Sequence, residues 1–550
     1  MPLPTLETSY RRRWLVLATL CLSVLLVVLA NMALNVALPS LGRDLHAGTT
    51  SLAWVVDSYV LCFAAFLLPA GAIGDRFGRK GVLQCGLLIF GAAAVAAASS
   101  STVGELVAAR AVMGFGAALV MPGTLAILAT VFPPAERAQA IAIWASVAGG
   151  SVAVSIVWSG FVLEHFWWGA IFLSMALLAL VTLVTGWFLL PTSRQANAAR
   201  LDPVGVALSI LATAGLLYAF IQAPDDGWRS PTILVAFGLG AAGLVAFVAW
   251  ERSRTDPMLT LTFFADFRFS LGTFSIAGAY FALFGTYFLL TQYLQLVRGF
   301  SPLVAGAAAL PAGLAQFATA QLGRPLVPRL GFPRVLAGGL LASAAGLALL
   351  AGTQPSSPLW IVECGLGLLG AGVGLAMPPA SGAIMASLPA DQAGVGSAVN
   401  DLSRELGGAF GIGVLGSVAL TRSRALLAPH LSGLSPSSRT AASAGLAPAL
   451  ALAHGAHRIF AALARRSFCS GFELAMLTGA SLLVVAAGIV ALKGSTRTSS
   501  VLADPVTHER TVTHDDAHER SPALRPGACP ETTGPRRSLS SAGRQVGTEA

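Results

Sequence analysis

The stretch GAIGDRFGRKG, residues 71–81, decides how the chain is read. It packs Asp75, Arg76, Arg79 and Lys80 into six positions, while from Ala47 to Gly104 the only other Asp, Glu, Lys or Arg is Asp57. Charge so concentrated, in surroundings so apolar, belongs to a short polar turn between two long apolar segments. Gly74 and Gly78 permit a tight reversal there.

Working outward, the composition is that of a membrane protein. Charged residues are 11% of the chain, against about 25% in soluble domains. The hydrophobic fraction is 55% and the mean hydropathy +0.74. Trp14 to Leu38 is a run of 25 residues without a charge. As a helix it is roughly 37 Å long, enough for a hydrocarbon core of about 30 Å. Arg11, Arg12 and Arg13 precede it, as in a signal peptide, but the apolar region of a signal is only about 7–15 residues. A retained first span fits better.

Fourteen candidate spans follow the same logic: 14–38, 51–73, 81–99, 105–131, 138–163, 166–190, 203–222, 231–250, 267–296, 302–323, 335–351, 358–386, 396–420 and 471–492. They are too long for barrel strands. Gly and Ala, dense inside them, let helices approach closely in lipid. The basic residues set the orientation. With the N-terminus inside, thirteen of them (Arg76, Arg79, Lys80, Arg137, Arg194, Arg200, Arg252, Arg254, Arg268, Arg324, Arg329, Arg334 and Arg404) face the cytoplasm, against Arg43, Arg229 and Arg298 in the short outer loops. Both termini are therefore expected in the cytoplasm. The net charge of +9 reflects this bias and is no sign of nucleic acid. Outer loop 421–470 is the exception, with six arginines, and its HRIFAALARRSF (457–468) is either an amphipathic surface helix or an ordinary solvated loop. Residues 494–550 read as a disordered cytoplasmic tail. The six scattered cysteines suggest neither disulfides nor zinc, and no cofactor or metal is expected.

In this frame GDRFGRK is the cytoplasmic turn between spans 2 and 3. Its basic residues anchor it near anionic headgroups. Asp75 is placed to pair with an arginine or to face a helix N-terminus across an interface. A faint second copy, PRLGFPR (328–334), lies between spans 10 and 11, its Arg329-x-Gly331 matching Arg76-x-Gly78 253 residues on. Two six-helix halves, 14–190 and 267–492, with two spans inserted at 203–250 and residues 1–13 as a cytoplasmic N-terminus, place both turns equivalently. The fold class is thus an all-α membrane protein. Repeats around a central cavity are common in secondary transporters.

GAIGDRFGRK resembles the signature loop of the major facilitator superfamily. LNVALPSL (34–41), WVVDSYVL (54–61), RAVMGFGAALVMPG (110–123), LEHFWWGAIFL (163–173), QYLQLVRGFSPLVAGAAALP (292–311) and AGVGSAVNDLSRELGGAFG (393–411) are similar to its fourteen-span drug:proton antiporter subfamily. The resemblance implies the major facilitator fold and alternating access. It also implies a multi-pass protein of the plasma membrane, with a small-molecule drug or antibiotic, protons and the lipid bilayer as partners. The turn Gly74, Asp75, Arg76, Gly78, Arg79 and Lys80 becomes a conformational-switch loop.

A proton carrier must be a carboxylate within the membrane. Asp57, two turns into span 2, is the first candidate; a helix cap or gate contact at the outer interface is the competing assignment. Arg110, opening the span 4 motif, implies a buried carboxylate or water, or else it snorkels to an interface. Glu363 in span 12 is a second carrier candidate. Asp401, Arg404 and Glu405 are read as an ion-pair network at the cytoplasmic gate. Gln292, Tyr293 and Gln295 line the substrate path or pack. The departures matter too. Ala30 and Met32 stand where the subfamily often has an acid and a threonine. Ser155 to Gly160 lack its Gly-Pro-x-x-Gly-Gly, and Gly382 stands where many relatives carry an acid.

The expected function is export of a drug or antibiotic-like, largely apolar compound by proton antiport. A facilitator or uptake permease of the same fold, without proton coupling, is the alternative, and a membrane sensor ranks behind both. No H-E-x-x-H, G-x-S-x-G or P-loop points to an enzyme.

Overall fold

The computed structural model describes residues 11–45, 49–192, 202–389, 392–431 and 458–503, and between the last two 435, 438–439, 442–443 and 445–452. Fourteen helices in this set are long and apolar enough to cross a membrane. They are α1 (Arg13–Met32), α2 (Thr49–Phe77), α3 (Arg79–Ala98), α4 (Val103–Val131), α5 (Pro134–His165), α6 (Gly169–Leu189) and α7 (Pro203–Asp226). After these come α8 (Pro231–Ser253), α9 (Phe267–Gln292), α10 (Leu310–Ala320, which makes the span Leu303–Ala320 together with a short helix Pro302–Ala307), α11 (Phe332–Ala351), α12 (Leu359–Ala386), α13 (Ala393–Leu427) and α14 (Arg458–Ala503).

Local chemistry marks their ends. Thr102 and Glu105 form a capping box at α4, each side chain accepting from the other's backbone N–H. Proline opens α5, α7 and α8, where its missing N–H costs nothing. Asp202 caps α7 by accepting from the Val204 and Gly205 N–H groups, both at 3.1 Å.

The two halves repeat one packing scheme. In the first, α2 packs on α4, α3 on α4 and α1 on α5; in the second, α10 packs on α12, α11 on α12 and α9 on α13. Each pair in one half has its counterpart eight helices on. The turns repeat as well. Gly78 and Gly331 both adopt positive φ, 108° and 87°, and each N–H bonds to the carbonyl four residues back, at 3.0 and 2.9 Å. Only glycine takes that backbone without strain. The inserted α7 and α8 pack on each other, and α7 leans on α2 and α13.

Several boundaries differ from the sequence reading. The first span stops at Met32, and LNVALPSLGRD forms a separate helix, Leu34–Asp44. HRIFAALARRSF is neither a surface helix nor a loop: from Arg458 it is the start of α14, and its Ala464 and Phe468 are buried. No Gly or Pro interrupts 458–470, so Ala, Leu and Arg carry the helix straight on. Helical backbone also continues to Ala503. The remainder of the expected tail lies outside the described residues.

Candidate functional site

The halves meet along α2–α13, α4–α13, α5–α10 and α5–α12. At the Gly78 end, α2 and α13 touch backbone to backbone. A Cβ on Gly71 would lie 2.6 Å from the Gly394 carbonyl oxygen, and one on Gly394 would lie 2.7 Å from that of Gly71. Asp75 sits one turn further along α2, buried. Its Oδ1 accepts from Arg79 Nε at 2.9 Å and from the Gly394 N–H at 3.0 Å, and its Oδ2 accepts from the Val395 N–H at 3.1 Å. One carboxylate thus makes an ion pair within its own half and caps the first turn of α13 in the other. The helix dipole and the unpaired N–H groups both favour an anion there. Lys80 Nζ donates to the Trp187 carbonyl at 2.7 Å, fixing the end of α6. Arg76 lies over the Phe77 ring.

Further along, α5 and α10 stay in contact. Gln321 Nε2 donates to Ser146 Oγ at 3.1 Å, a Cβ on Gly149 would collide with the Gln316 amide, and Gly160 abuts Leu303. Between these contacts lies a narrow cavity. Val27, Val28, Phe63 and Met121 line it from the first half; Leu283 and Phe284 line it from the second. Its polar lining is sparse: Asn31, Tyr280, Gln316, Arg404 and Glu405.

Arg404 and Glu405 were expected at a gate; they sit instead in the cavity wall. Measured along α13 from Ala393, positions 401–405 lie about 12–18 Å in, mid-depth in the bundle. Asp401, Arg404 and Glu405 share one helix face, and all three are buried. Arg404 Nη1 lies 3.5 Å from Asp401 Oδ1, and its guanidinium stacks 4.8 Å from the centre of the Tyr280 ring. Asn400 Nδ2 donates to the same Asp401 oxygen, and Ser381 Oγ donates to Asn400 Oδ1 at 2.7 Å. Asp401 Oδ2 and Arg404 Nε are buried without a partner among the described residues. Glu405 makes no hydrogen bond there either, and lies within electrostatic reach of Tyr59 in the opposite half. Such unsatisfied charge is expensive and marks a site that changes its partners.

Arg110 is wholly buried on α4. Its Nε and Nη1 donate to the carbonyls of Val55 and Ala30, each at 3.0 Å, and it stacks 4.3 Å from the Tyr59 ring centre. No carboxylate contacts it among the described residues, and Nη2 has no partner. It neither snorkels nor pairs: it binds the backbones of α1 and α2 to α4.

The other expected residues lie elsewhere. Asp57 is half-buried, facing α7, where Gln222 Nε2 donates to its Oδ2 at 3.4 Å. Glu363 is half-buried one turn into α12. Neither lines the central cavity. Nor do Gln292, Tyr293 and Gln295. Tyr293 begins a π-helical turn, Tyr293–Val297, and its hydroxyl donates to the Gln354 carbonyl at 2.7 Å. Gln295 is half-buried in that turn, and Gln292 lines a second cavity. Tyr280, Gln316 and Asn31 were not singled out from sequence. Gln316 and Asn31 could have been noticed as amides in charge-free apolar spans, whereas Tyr280 shares its span with Tyr287 and Tyr293 and carries no such mark.

A two-fold repeat of six helices around a mid-depth polar cavity, latched at one end by a carboxylate on a helix terminus, defines a secondary transporter. The chain belongs to the major facilitator superfamily, whose family model matches residues 20–412. It is a multi-pass membrane transporter and not an enzyme. It is 35% identical over 478 residues to the puromycin resistance protein pur8 of Streptomyces alboniger, covering 86% of this chain and 94% of that one. It is 32% identical to the multidrug efflux pump LfrA of Mycolicibacterium smegmatis, covering 88% and 97%. With the tetracenomycin C resistance and export protein of Streptomyces glaucescens the identity is 29%, covering 87% and 91%. The fold is that of the human organic anion transporter MFSD10, with a TM-score of 0.57 at 16% identity over 86% of this chain and 99% of that one.

Proposed function

We propose that this protein exports a small drug or antibiotic-like compound, largely apolar, across the plasma membrane in exchange for protons, with both termini in the cytoplasm. The positive-inside bias supports the orientation, and the names of the relatives support the substrate class. The observation that carries the coupling is Glu405, a carboxylate without a hydrogen-bond partner among the described residues, in a cavity with few polar groups and beside Arg404 and Asp401. Ionised, it needs water, Arg404 or a cationic substrate group; neutral, it needs none of them. A carboxylate that changes charge as the cavity changes its exposure is what antiport requires. The sequence-based order of carriers changes accordingly, with Glu405 and Asp401 ahead of Asp57 and Glu363.

Switching rests on Asp75 and the Gly71–Gly394 contact. To open the Gly78 end, α13 must leave the Asp75 carboxylate. Arg76, Arg79, Lys80 and the paired glycines hold the turn that presents it.

The facilitator reading has one observation in its favour: Arg110, a wholly buried cation of the first half, has no acid in contact with it among the described residues. Uptake of a drug panel into inverted vesicles with an acidified lumen, which corresponds to export from the cell, decides between them when measured with and without a protonophore. Gradient-driven efflux supports antiport; transport indifferent to the gradient leaves the facilitator.

A further inference from the structure

The second cavity lies at the end opposite Gly78, between α7, α9, α13, α14 and the short helix Leu446–Leu452. Phe288, Leu289, Leu420 and Phe468 give it apolar walls on one side; Gln292, Ser423, Ser443, Ser467 and Arg424 are its polar lining. Arg424 Nε is fastened to the Ser443 carbonyl. Its terminal nitrogens make no hydrogen bond or ion pair among the described residues, so the guanidinium is held in place with donors to spare.

The surrounding sequence explains the lack of a counter-ion. From Leu406 to Phe472 there is no Asp or Glu, yet six arginines: Arg422, Arg424, Arg439, Arg458, Arg465 and Arg466. The charge bias opposes so many cations at this end of the bundle. Arg424 is half-buried beside apolar side chains, where an anion that meets it gains more than it would in open water. The anion that fits must carry an apolar body. Exposed Leu474 and Leu477 on α14, next to the cavity, mark the surface where the bilayer supplies such molecules.

We infer that this cavity binds an anionic amphiphile, with its acidic headgroup on Arg424 and its chain between Phe288, Leu420 and Phe468. An anionic phospholipid and a free single-chain amphiphile share this chemistry. The inference rests on the cavity and its charge, not on proton coupling, and its test involves no transport.

The full-length protein is purified into nanodiscs of phosphatidylcholine with phosphatidylglycerol, and retained lipid is read by native mass spectrometry. Wild type is expected to retain phosphatidylglycerol about tenfold over phosphatidylcholine. Arg424→Gln should cut that preference at least fivefold, Arg424→Lys should keep most of it, and Ala464→Trp, which fills the cavity, should remove it whatever the charge. Dodecyl phosphate distinguishes the sources. Displacement of the lipid shows that the site takes free amphiphiles; retention of the lipid shows that it takes the two-chain form. Equal retention of both lipids by wild type overturns the inference. So does a preference that survives in monodisperse Arg424→Gln and Ala464→Trp protein.

Discussion

Arg110 in the first half and Arg404 in the second are built from the same unit. Each guanidinium is buried and lies over a tyrosine, Tyr59 at 4.3 Å and Tyr280 at 4.8 Å. They part in what compensates the charge. Arg110 gives its hydrogen bonds to two backbone carbonyls. Arg404 has Asp401 three residues before it and Glu405 one after, on the wall of the central cavity. Carbonyls cannot take up protons; carboxylates can. A buried cation becomes a tie between helices in one case and part of a titratable centre in the other, according to which acceptors surround it.

Glu405→Gln should break the second centre while leaving the first intact. Gradient-driven efflux is expected to fall at least tenfold in vesicles, with substrate exchange across the membrane preserved. Full gradient-driven efflux by this variant would remove the contrast between the halves.

The arginines themselves sharpen it. Arg110→Ala loses two charged hydrogen bonds and a cation–π contact, about 3 kcal/mol or more. It should lower the thermal unfolding midpoint and reduce transport in proportion to the folded protein remaining. Arg404→Ala should uncouple transport with the smaller thermal loss. If the two variants exchange these behaviours, the tie and the titratable centre have been assigned to the wrong halves.

Asp75→Asn comes next. It replaces a charged acceptor with a neutral one at the α13 terminus, a change of about 1–2 kcal/mol, or roughly 5–30-fold in a two-state population. Turnover should change by that order while substrate affinity of the purified protein stays within twofold. A large loss of affinity with normal turnover would contradict a switching role.

Asp57→Asn and Glu363→Gln, lying off the cavity, should each change gradient-driven efflux less than about threefold. A loss equal to that of Glu405→Gln would return the coupling to the residues first chosen from sequence.

The smallest effect belongs to Asp202. Burial opposes its charge, but the N–H groups of Gly205 and Val204, the Trp250 indole and Arg254 outweigh it and hold its carboxyl below the usual range. Stability from such a group is complete above the ordinary aspartate pKa and lost as pH falls through the lower, folded value. Asp202→Ala should cost about 1 kcal/mol at neutral pH, and the gap to wild type should narrow below about pH 4. A gap that is constant with pH would show packing, not charge, at this cap.

Spans, halves and orientation signals were legible because lipid imposes length and charge rules that leave a dense trace. Asp75 was legible for a related reason: an acid with glycines around it in a basic turn has few uses other than a helix terminus or an arginine, and it serves both. The depth of Asp401, Arg404 and Glu405 was not. Residues 393–400, AGVGSAVN, are small residues, Val and one Asn without Leu or Ile, so the span seemed to begin later and its charges to lie near its end. The acid-free surroundings of Arg110 were visible only as Ala30, and nothing local showed that this residue's carbonyl meets the guanidinium. Gln292 and Arg424 share a cavity built from five helices that are spread along the sequence, and no spacing encodes that.

The Gly71–Gly394 contact exists in only one arrangement of the halves. A methyl group at either position would press on a backbone carbonyl at 2.6–2.7 Å, and at Gly394 also on the Asp75 carboxylate, while the Gly78 end is shut; parting the helices would relieve it. A side chain there acts as a wedge. It penalises one of the two alternating states and spares the other, which is the differential energy needed to move a conformational equilibrium. The smallest residue at this crossing thus holds the balance between the states, and an antagonist able to fill the same space would arrest the cycle without ever entering the substrate cavity.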